Sequence, residues 1–180
     1  MENLFKNQYR IETSRLPGWD YSSPDFYLVT ICSYKRHCYF GKIINGNMQL
    51  NTLGNIAEKN WKAVPEHHKN VYLDAFVIMP NHIHGILILT NDEINVETLD
   101  ATSLWSKRNE GSNYYSSISP KQGSLSAIIR SYKSSVTRPI RKNLNPTFTW
   151  QPRFYDHIIR TEVDLENLRL YIETNPENWF

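Results

Sequence analysis

Cysteine is scarce in this sequence, with two residues, Cys32 and Cys38, in a chain of 180. Two cysteines are too few for the disulfide framework of a small secreted domain, so we expect reduced thiols. Long apolar segments are also missing, because no uninterrupted run reaches the roughly 20 residues that a membrane-spanning helix needs. No apolar stretch follows the first ten residues, MENLFKNQYR, as it would in a secretory signal. We therefore expect a cytoplasmic protein without a membrane partner.

A strong charge imbalance is absent too, since 20 basic residues and 18 acidic residues leave a formal net charge of +2. The basic residues are nevertheless clustered, with six of them and no acidic residue between positions 121 and 142. Together with 11 tyrosines, this clustering suits a nucleic-acid partner, although tyrosines also build cores. Arg130, Lys133 and Arg141 are candidate contacts to phosphates, and each could equally be a solvated surface charge.

A single domain, residues 1–180, is the simplest organisation for this length. The hydrophobic fraction of 40% is enough for a core and argues against global disorder. Residues 91–123 break the apolar pattern, and we interpret them as a polar insertion loop. Trp105, Tyr114 and Tyr115 within it could pack as a short element or stack on bases.

Several stretches have the aromatic and β-branched composition of strands. One lies within FYLVTICSYKRHCYF (26–40), and GKIINGNMQL (41–50) adds a possible hairpin through Asn45-Gly46. The runs VYLDAFVIMP and HIHGILILT are separated by Asn81 alone, which predicts a tight antiparallel pair. WQPRFYDHIIR (150–160) is an expected edge strand.

Other stretches have helical spacing of apolar residues. LGNIAEKNWKAV (53–64) is one, and SLSAIIRSYKSSVTRPI (124–140) is a second, with Ser124 as its N-cap and Pro139 expected to end or kink it. TEVDLENLRLYIETNP (161–176) is the third, beginning with a Thr161 cap. The order β-α-β-β-α-β matches the ferredoxin-like arrangement, an α+β fold with an antiparallel sheet and helices on one face. The C-terminal helix is then an addition to that core.

Two histidines, His82 and His84, open the second of the paired apolar runs. Residues i and i+2 of a strand point to the same face, so the two imidazoles project together and suit two ligands of one metal ion. A pair of core histidines satisfied by hydrogen bonds would give the same pattern. His157, in FYDHIIR, is one candidate third ligand and would complete a three-histidine site of the kind typical of zinc.

Asn175 is another candidate ligand, and Tyr171 lies four residues before it on the last helix. Residues four apart share a helix face, so a tyrosine and an amide could overhang a site on the sheet. The alternative is structural, with Tyr171 packing at the edge of the core and Asn175 capping the helix before Pro176.

Three motifs in this order carry a resemblance: MPNHIHGILIL, then SLSAIIRSYKSSVTRPI, then WQPRFYDHIIRTEVDLENLRLYIETNP. From about Phe26 onward the chain resembles the single-tyrosine HUH transposases, in particular the REP-associated tyrosine transposase branch of the insertion-sequence 200-like family. HUH denotes histidine, a bulky apolar residue and histidine, which here are His82, Ile83 and His84.

The resemblance implies a metal-dependent enzyme that cleaves and rejoins single-stranded DNA near hairpins. Its ligands for Mg²⁺ or Mn²⁺ would be His82, His84 and Asn175, and Tyr171 would be the nucleophile, forming a 5′-phosphotyrosine link. Asp156 and His157 could support the site from behind the ligands, and Tyr155 is the alternative nucleophile. A bacterial protein, associated with the nucleoid when bound to DNA and acting as a monomer or homodimer, would follow.

Two other functions remain open from the sequence. A catalytically silent nucleic-acid-binding regulator on the same fold would keep the basic helix without needing Tyr171. A zinc hydrolase built on His82, His84 and His157 would bind zinc tightly and would also not use Tyr171. The presence of His82, His84, Tyr171 and Asn175 together favours the transposase.

Overall fold

The computed structural model describes residues 15–90 and 123–179, and a four-stranded antiparallel sheet forms its centre. The strands are β1 (Asp25–Cys32), β4 (Val71–Ile78), β5 (His82–Leu89) and β6 (Tyr155–Ile159). They lie side by side in the order β4-β5-β1-β6. A separate two-stranded hairpin consists of β2 (Gly41–Ile44) and β3 (Asn47–Leu50). The predicted turn at Asn45-Gly46 is confirmed, with positive φ angles of 51° and 73°.

The helices are α1 (Thr52–Lys62), α2 (Val64–His67), α3 (Leu125–Asn143) and α4 (Glu162–Thr174), and Tyr34–Arg36 forms one 3₁₀ turn. Helix α1 lies between β1 and β4 in the chain, and α3 lies between β5 and β6. With the sheet order, this connectivity is the ferredoxin-like arrangement that the sequence predicted. The edge position of β6 is also confirmed, because it pairs with β1 alone.

One face of the sheet packs against α1 and α3 and forms the larger core. Odd-numbered residues of the central strands supply it, among them Val29, Ile31 and Leu87, all fully buried. Trp61 of α1 and Tyr132 of α3 meet edge to face, with ring centroids 5.1 Å apart. Tyr132 is therefore a core residue, as its position on the apolar side of the helix predicted.

The opposite face of the sheet is covered by α4. A second apolar cluster joins Leu165 and Ile172 of this helix to strand residues of that face, namely Phe26, Ile86, Ile88 and Ile159. The Thr161 hydroxyl accepts the backbone N–H of Asp164 at 3.1 Å and begins the helix as predicted. The added C-terminal helix thus lies across the sheet from α1 and α3, over the face to which His82 and His84 point.

Of the two outcomes predicted at Pro139, an end or a kink, the structure excludes the first, because helix α3 continues to Asn143. Proline removes one backbone donor, but buried Ile140 extends the apolar face, and the N–H of Leu144 closes the helix on the Ile140 carbonyl at 2.9 Å. Ser124 is the predicted N-cap and accepts the N–H of Ala127.

The cysteines are both free, Cys32 buried and Cys38 exposed, in agreement with the prediction of reduced thiols. Among residues 15–90 and 123–179, no helix has the length and apolar character needed to cross a membrane. The predicted polar loop, with Trp105, Tyr114 and Tyr115, falls outside the described residues, apart from Gly123 at its end.

Candidate active site

The histidine pair lies at the start of strand β5, on the face that α4 covers. His82 and His84 are buried, with 6% and 7% of their surface exposed, and their ring centroids are 4.5 Å apart. Ile83, between them, points into the opposite core and is fully buried. The alternation of the strand therefore brings the two imidazoles together, as the sequence predicted.

Each imidazole is held through its Nδ1 atom. His82 Nδ1 lies 2.7 Å from the amide oxygen of Asn81, while the amide nitrogen of Asn81 donates to the Arg36 carbonyl at 3.2 Å. This second bond identifies the oxygen of Asn81 as the acceptor, so His82 carries its proton on Nδ1 and a lone pair on Nε2. The Nδ1 atom of His84 shares a 2.8 Å hydrogen bond with the Thr30 hydroxyl. Partners of this kind orient metal-ligating histidines in other proteins.

Both rings are neutral at pH 7. Burial, followed by the neighbouring His84 and Arg36, lowers the pKa of His82 to about 3. Burial lowers the pKa of His84 to about 4, with Arg36 as the second cause. Because a metal ion binds the unprotonated ring, protons do not compete for these nitrogens near neutral pH.

Tyr171 of α4 reaches the pair directly. Its hydroxyl lies 3.1 Å from Nε2 of His84, and the two rings meet at 67° with centroids 5.2 Å apart. The residue is also 46% exposed, so Tyr171 reaches both the buried histidines and the solvent. Of the two arrangements considered for Tyr171, the structure has the one in which it overhangs the site.

The position of α4 over the sheet has two causes. Leu165 and Ile172 are buried in the second apolar cluster, which fixes the height of the helix above the strands. Arg169 forms two close contacts with Asp74 of β4, its Nε at 3.0 Å from Oδ1 and its Nη2 at 2.6 Å from Oδ2. Asp74 lies at a register shift between β4 and β5, where the strand turns it toward the helix.

Asn175 follows α4 directly as its C-cap residue, one turn after Tyr171 and on the same side of the helix. Its backbone N–H bonds the Ile172 carbonyl at 3.4 Å, so the predicted capping position is real. Four residues later the Trp179 ring stacks on His82, at 29° and 5.9 Å between centroids. The segment after α4 therefore stays close to the histidine pair.

The two residues expected to support the site are not brought to it. Asp156 pairs with Val29, whose side chain belongs to the opposite core, so its buried carboxylate points away from the histidines. It lies 3.7 Å from Arg15 instead. His157 is on the histidine face, but its Nε2 bonds Asp164 at 2.9 Å, at the other end of α4 from Tyr171.

A three-histidine zinc site is consequently not formed. In the part of the chain that the structure describes, no three His, Cys, Asp or Glu side chains are grouped so as to hold a metal ion. Asn175 is an amide, so this finding does not bear on the predicted set of two histidines and an asparagine. That set stays a prediction.

The predicted DNA-contacting cations lie on α3, across the sheet from the histidines. Lys133 donates to the backbone carbonyls of Gln151, at 2.9 Å, and Arg153, and Arg141 donates to that of Phe148 at 2.7 Å. These two side chains hold the 148–153 segment in place, and burial lowers the pKa of Lys133 to about 8. Arg130 is exposed. The alternative nucleophile, Tyr155, is 50% exposed. Thr30 of β1 pairs with Tyr155 on one side and with His84 on the other, so strand β1 separates the two.

Sequence reasoning missed four residues at this site, namely Thr30, Arg36, Asn81 and Trp179. Asn81 had a signal, because it directly precedes the first histidine and the turn leaves its amide beside that ring. The other three come from distant parts of the chain, and no spacing in the sequence relates them to His82.

Comparison with known proteins places this geometry in context. A Haemophilus influenzae protein described as uncharacterized is 37% identical over 172 residues, covering 92% of this chain and 87% of the relative. The two proteins belong to one family. No family model matches the chain.

Among solved structures, a REP-associated tyrosine transposase bound to a REP hairpin is similar to the chain, with a TM-score of 0.57. The sequence identity is 18%, and the match covers 92% of this chain and 74% of the transposase. This chain therefore has the fold of a REP-associated tyrosine transposase, as its three motifs predicted.

Proposed function

We propose that this protein is a transposase-type enzyme that cleaves and rejoins single-stranded DNA near hairpins, with Tyr171 as its nucleophile. The observation that carries the proposal is the 3.1 Å contact between the Tyr171 hydroxyl and Nε2 of His84, on a fold shared with a REP-associated tyrosine transposase. A buried histidine pair with a half-exposed tyrosine beside it is more than a packed core requires.

The donor set fits a divalent cation such as Mg²⁺ or Mn²⁺. His82 and His84 are neutral and fixed through Nδ1, so each can offer Nε2, and Asn175 can offer an amide oxygen. Three neutral ligands leave coordination positions open, which suits a site that must also accept phosphate oxygens. The bound cation would offset charge on a non-bridging phosphate oxygen and align the phosphate for in-line attack.

Tyr171 supplies the covalent chemistry. A phenol is a weak nucleophile because it gives up its proton only reluctantly in water, so a polarised phosphate matters more than phenolate formation. The tyrosine oxygen forms a bond to phosphorus while the bond from phosphorus to the 3′ oxygen breaks. The electron pair leaves on the 3′ oxygen, which gains the proton that the phenol loses through solvent. The product is a 5′-phosphotyrosine and a free 3′-OH, and rejoining is the reverse step.

The cation could bind His84 only through one ring nitrogen, because Nδ1 is already bonded to Thr30. That nitrogen is Nε2, so the Tyr171 hydroxyl must give up its hydrogen bond to that atom and then faces the phosphate. The intermediate conserves the energy of the phosphodiester bond, so rejoining needs no nucleotide cofactor.

A covalent-adduct assay tests the proposal. The protein is mixed with labelled single-stranded hairpin oligonucleotides from the DNA flanking its gene, with Mn²⁺ or Mg²⁺, and resolved on denaturing gels. We expect a band resistant to denaturation that is lost when the metal is chelated. It should fall at least 100-fold in Tyr171→Phe, because the attacking oxygen is gone, and strongly in His82→Ala, because a ligand is gone.

Tyr155→Phe is the matched control, since Tyr155 is an equally exposed tyrosine on the same sheet. It should keep the adduct. Cleavage that survives Tyr171→Phe would reject Tyr171 as the nucleophile. DNA binding without an adduct, on every flanking sequence, would instead support the silent regulator.

A further inference from the structure

The loop after strand β1, residues 34–37, stands beside the histidine pair without a role in the chemistry above. Cys32, near the end of β1, pairs with His82 at the start of β5, so the loop and the histidines share one end of the sheet. All four of its residues, Tyr34, Lys35, Arg36 and His37, are exposed. No acidic residue occurs from Phe26 to Ala57, so this stretch of the sequence itself carries positive charge only.

The backbone of the loop is held in an unfavourable conformation. Lys35 and Arg36 have φ angles of 51° and 57°, in the left-handed region that costs free energy for residues other than glycine. Hydrogen bonds from outside the loop maintain it. Tyr34 N–H donates to the Thr149 carbonyl at 3.0 Å, and the Ser33 hydroxyl donates to the His37 carbonyl at 2.7 Å. Such a conformation persists where its surroundings impose it, often at functional sites.

Asn81 couples this loop to the histidines. Its amide nitrogen donates to the Arg36 carbonyl, and its amide oxygen accepts from His82. One side chain therefore joins the Arg36 backbone to the His82 imidazole. The guanidinium lies close enough to His82, His84 and Cys32 for its charge to affect the pKa of all three.

The guanidinium of Arg36 is available to a ligand. Within residues 15–90 and 123–179 no carboxylate forms an ion pair with it, whereas Arg169 is paired with Asp74 and Glu166. Lys133 and Arg141 also differ, because they donate to backbone carbonyls of their own fold. A planar guanidinium suits two oxygens of one phosphate.

We propose that Arg36 binds the scissile phosphate at the non-bridging oxygen that faces away from the histidine pair. This inference rests on the proposed function and adds a substrate-binding residue to it. Tyr171 would then attack a phosphate held from the sheet by His82 and His84 and from the loop by Arg36.

A methylphosphonate scan tests the inference without requiring cleavage. Binding to the hairpin oligonucleotide is measured by fluorescence anisotropy in a Tyr171→Phe background, with one phosphate at a time replaced by an uncharged methylphosphonate. In the background protein one position should weaken binding about 10-fold, the loss typical of one charged hydrogen bond. Arg36→Gln should bind less tightly throughout and lose clearly less affinity at that position than the background protein does, and Arg36→Lys should be intermediate.

Arg138→Gln is the matched control, because it removes one exposed positive charge from α3, across the sheet. It should keep the full loss at the sensitive position. Equal sensitivity in Arg36→Gln and Arg138→Gln at every position would overturn the inference, as would coupling to a phosphate other than the one cut in the adduct assay. If intact protein forms no adduct, the proposed function fails, and the scan alone decides whether Arg36 meets a phosphate.

Discussion

His82 and His84 owe their neutral state to burial, and this sets how the protein responds to acid. In the unfolded chain a histidine titrates near pH 6.5. In the folded chain the pKa values fall to about 3 and about 4, because the charged ring is poorly solvated there. Between pH 6.5 and pH 4 the unfolded state therefore binds more protons than the folded state, so stability rises with pH in that window.

We predict that the metal-free protein loses unfolding free energy when the pH falls from 7 to 5. The loss should be on the order of 2 kcal/mol for each histidine, since one pKa unit corresponds to about 1.4 kcal/mol. Urea denaturation at the two pH values, in the presence of a chelator, measures it. The double variant His82→Gln/His84→Gln should show a much smaller loss, and an unchanged loss in that variant would assign the acid sensitivity to other groups.

Helix α4 shows which features of an element can be predicted from the sequence and which cannot. The Thr161 cap, the apolar stripe of Leu165, Leu168 and Ile172, and the common side of Tyr171 and Asn175 were all predictable from spacing. The contact between Arg169 and Asp74 was not, because it joins residues 95 apart and depends on a register shift within β4. At Pro139 the sequence left open an end or a kink of α3, and the helix does not end there because burial of Ile140 continues its apolar face.

We predict that Arg169→Gln slows adduct formation clearly and lowers the free energy of unfolding only modestly. Arg169 is two residues from Tyr171, and its bond to Asp74 fixes the helix over the sheet, so its loss should let the hydroxyl drift from the phosphate. The pair is half exposed, so we expect a loss of about 1 kcal/mol in unfolding free energy. Adduct rates and urea denaturation measure the two effects.

Glu166→Gln is the control for that variant, because Glu166 also contacts Arg169 but is well exposed. It should change neither quantity appreciably. Equal effects of Arg169→Gln and Glu166→Gln on the adduct rate would contradict a positioning role for the contact with Asp74.

Over the whole molecule, one sheet separates two cores, and helix α1 approaches the sheet closely at Gly85. Gly85 lies in β5 directly after His84, facing Trp61 of α1. A Cβ atom added there would come within 2.3 Å of the ring of Trp61, which is fully buried. The topology of the sheet could be predicted from the order of elements, whereas this close approach could not, since Gly85 and Trp61 belong to separate elements.

We predict that Gly85→Ala costs about 1–3 kcal/mol in unfolding free energy, the range for an overpacked core. Thermal or urea denaturation measures it. In a Trp61→Phe background the same substitution should cost clearly less, because the smaller ring leaves space for the methyl group. An equal cost in both backgrounds would exclude the clash as its cause.

The alternation of side chains along β5 also limits which insertions and deletions the turn before this strand can accept. His82 and His84 face one side of the sheet, and Ile83 and Gly85 face the other. Inserting or deleting one codon within the turn Met79–Asn81 would shift the strand by one residue, exchanging its two sides unless the turn absorbs the change. A two-codon change would keep every side chain on its own side. Relatives should therefore differ in this turn by even numbers of residues, if they differ at all.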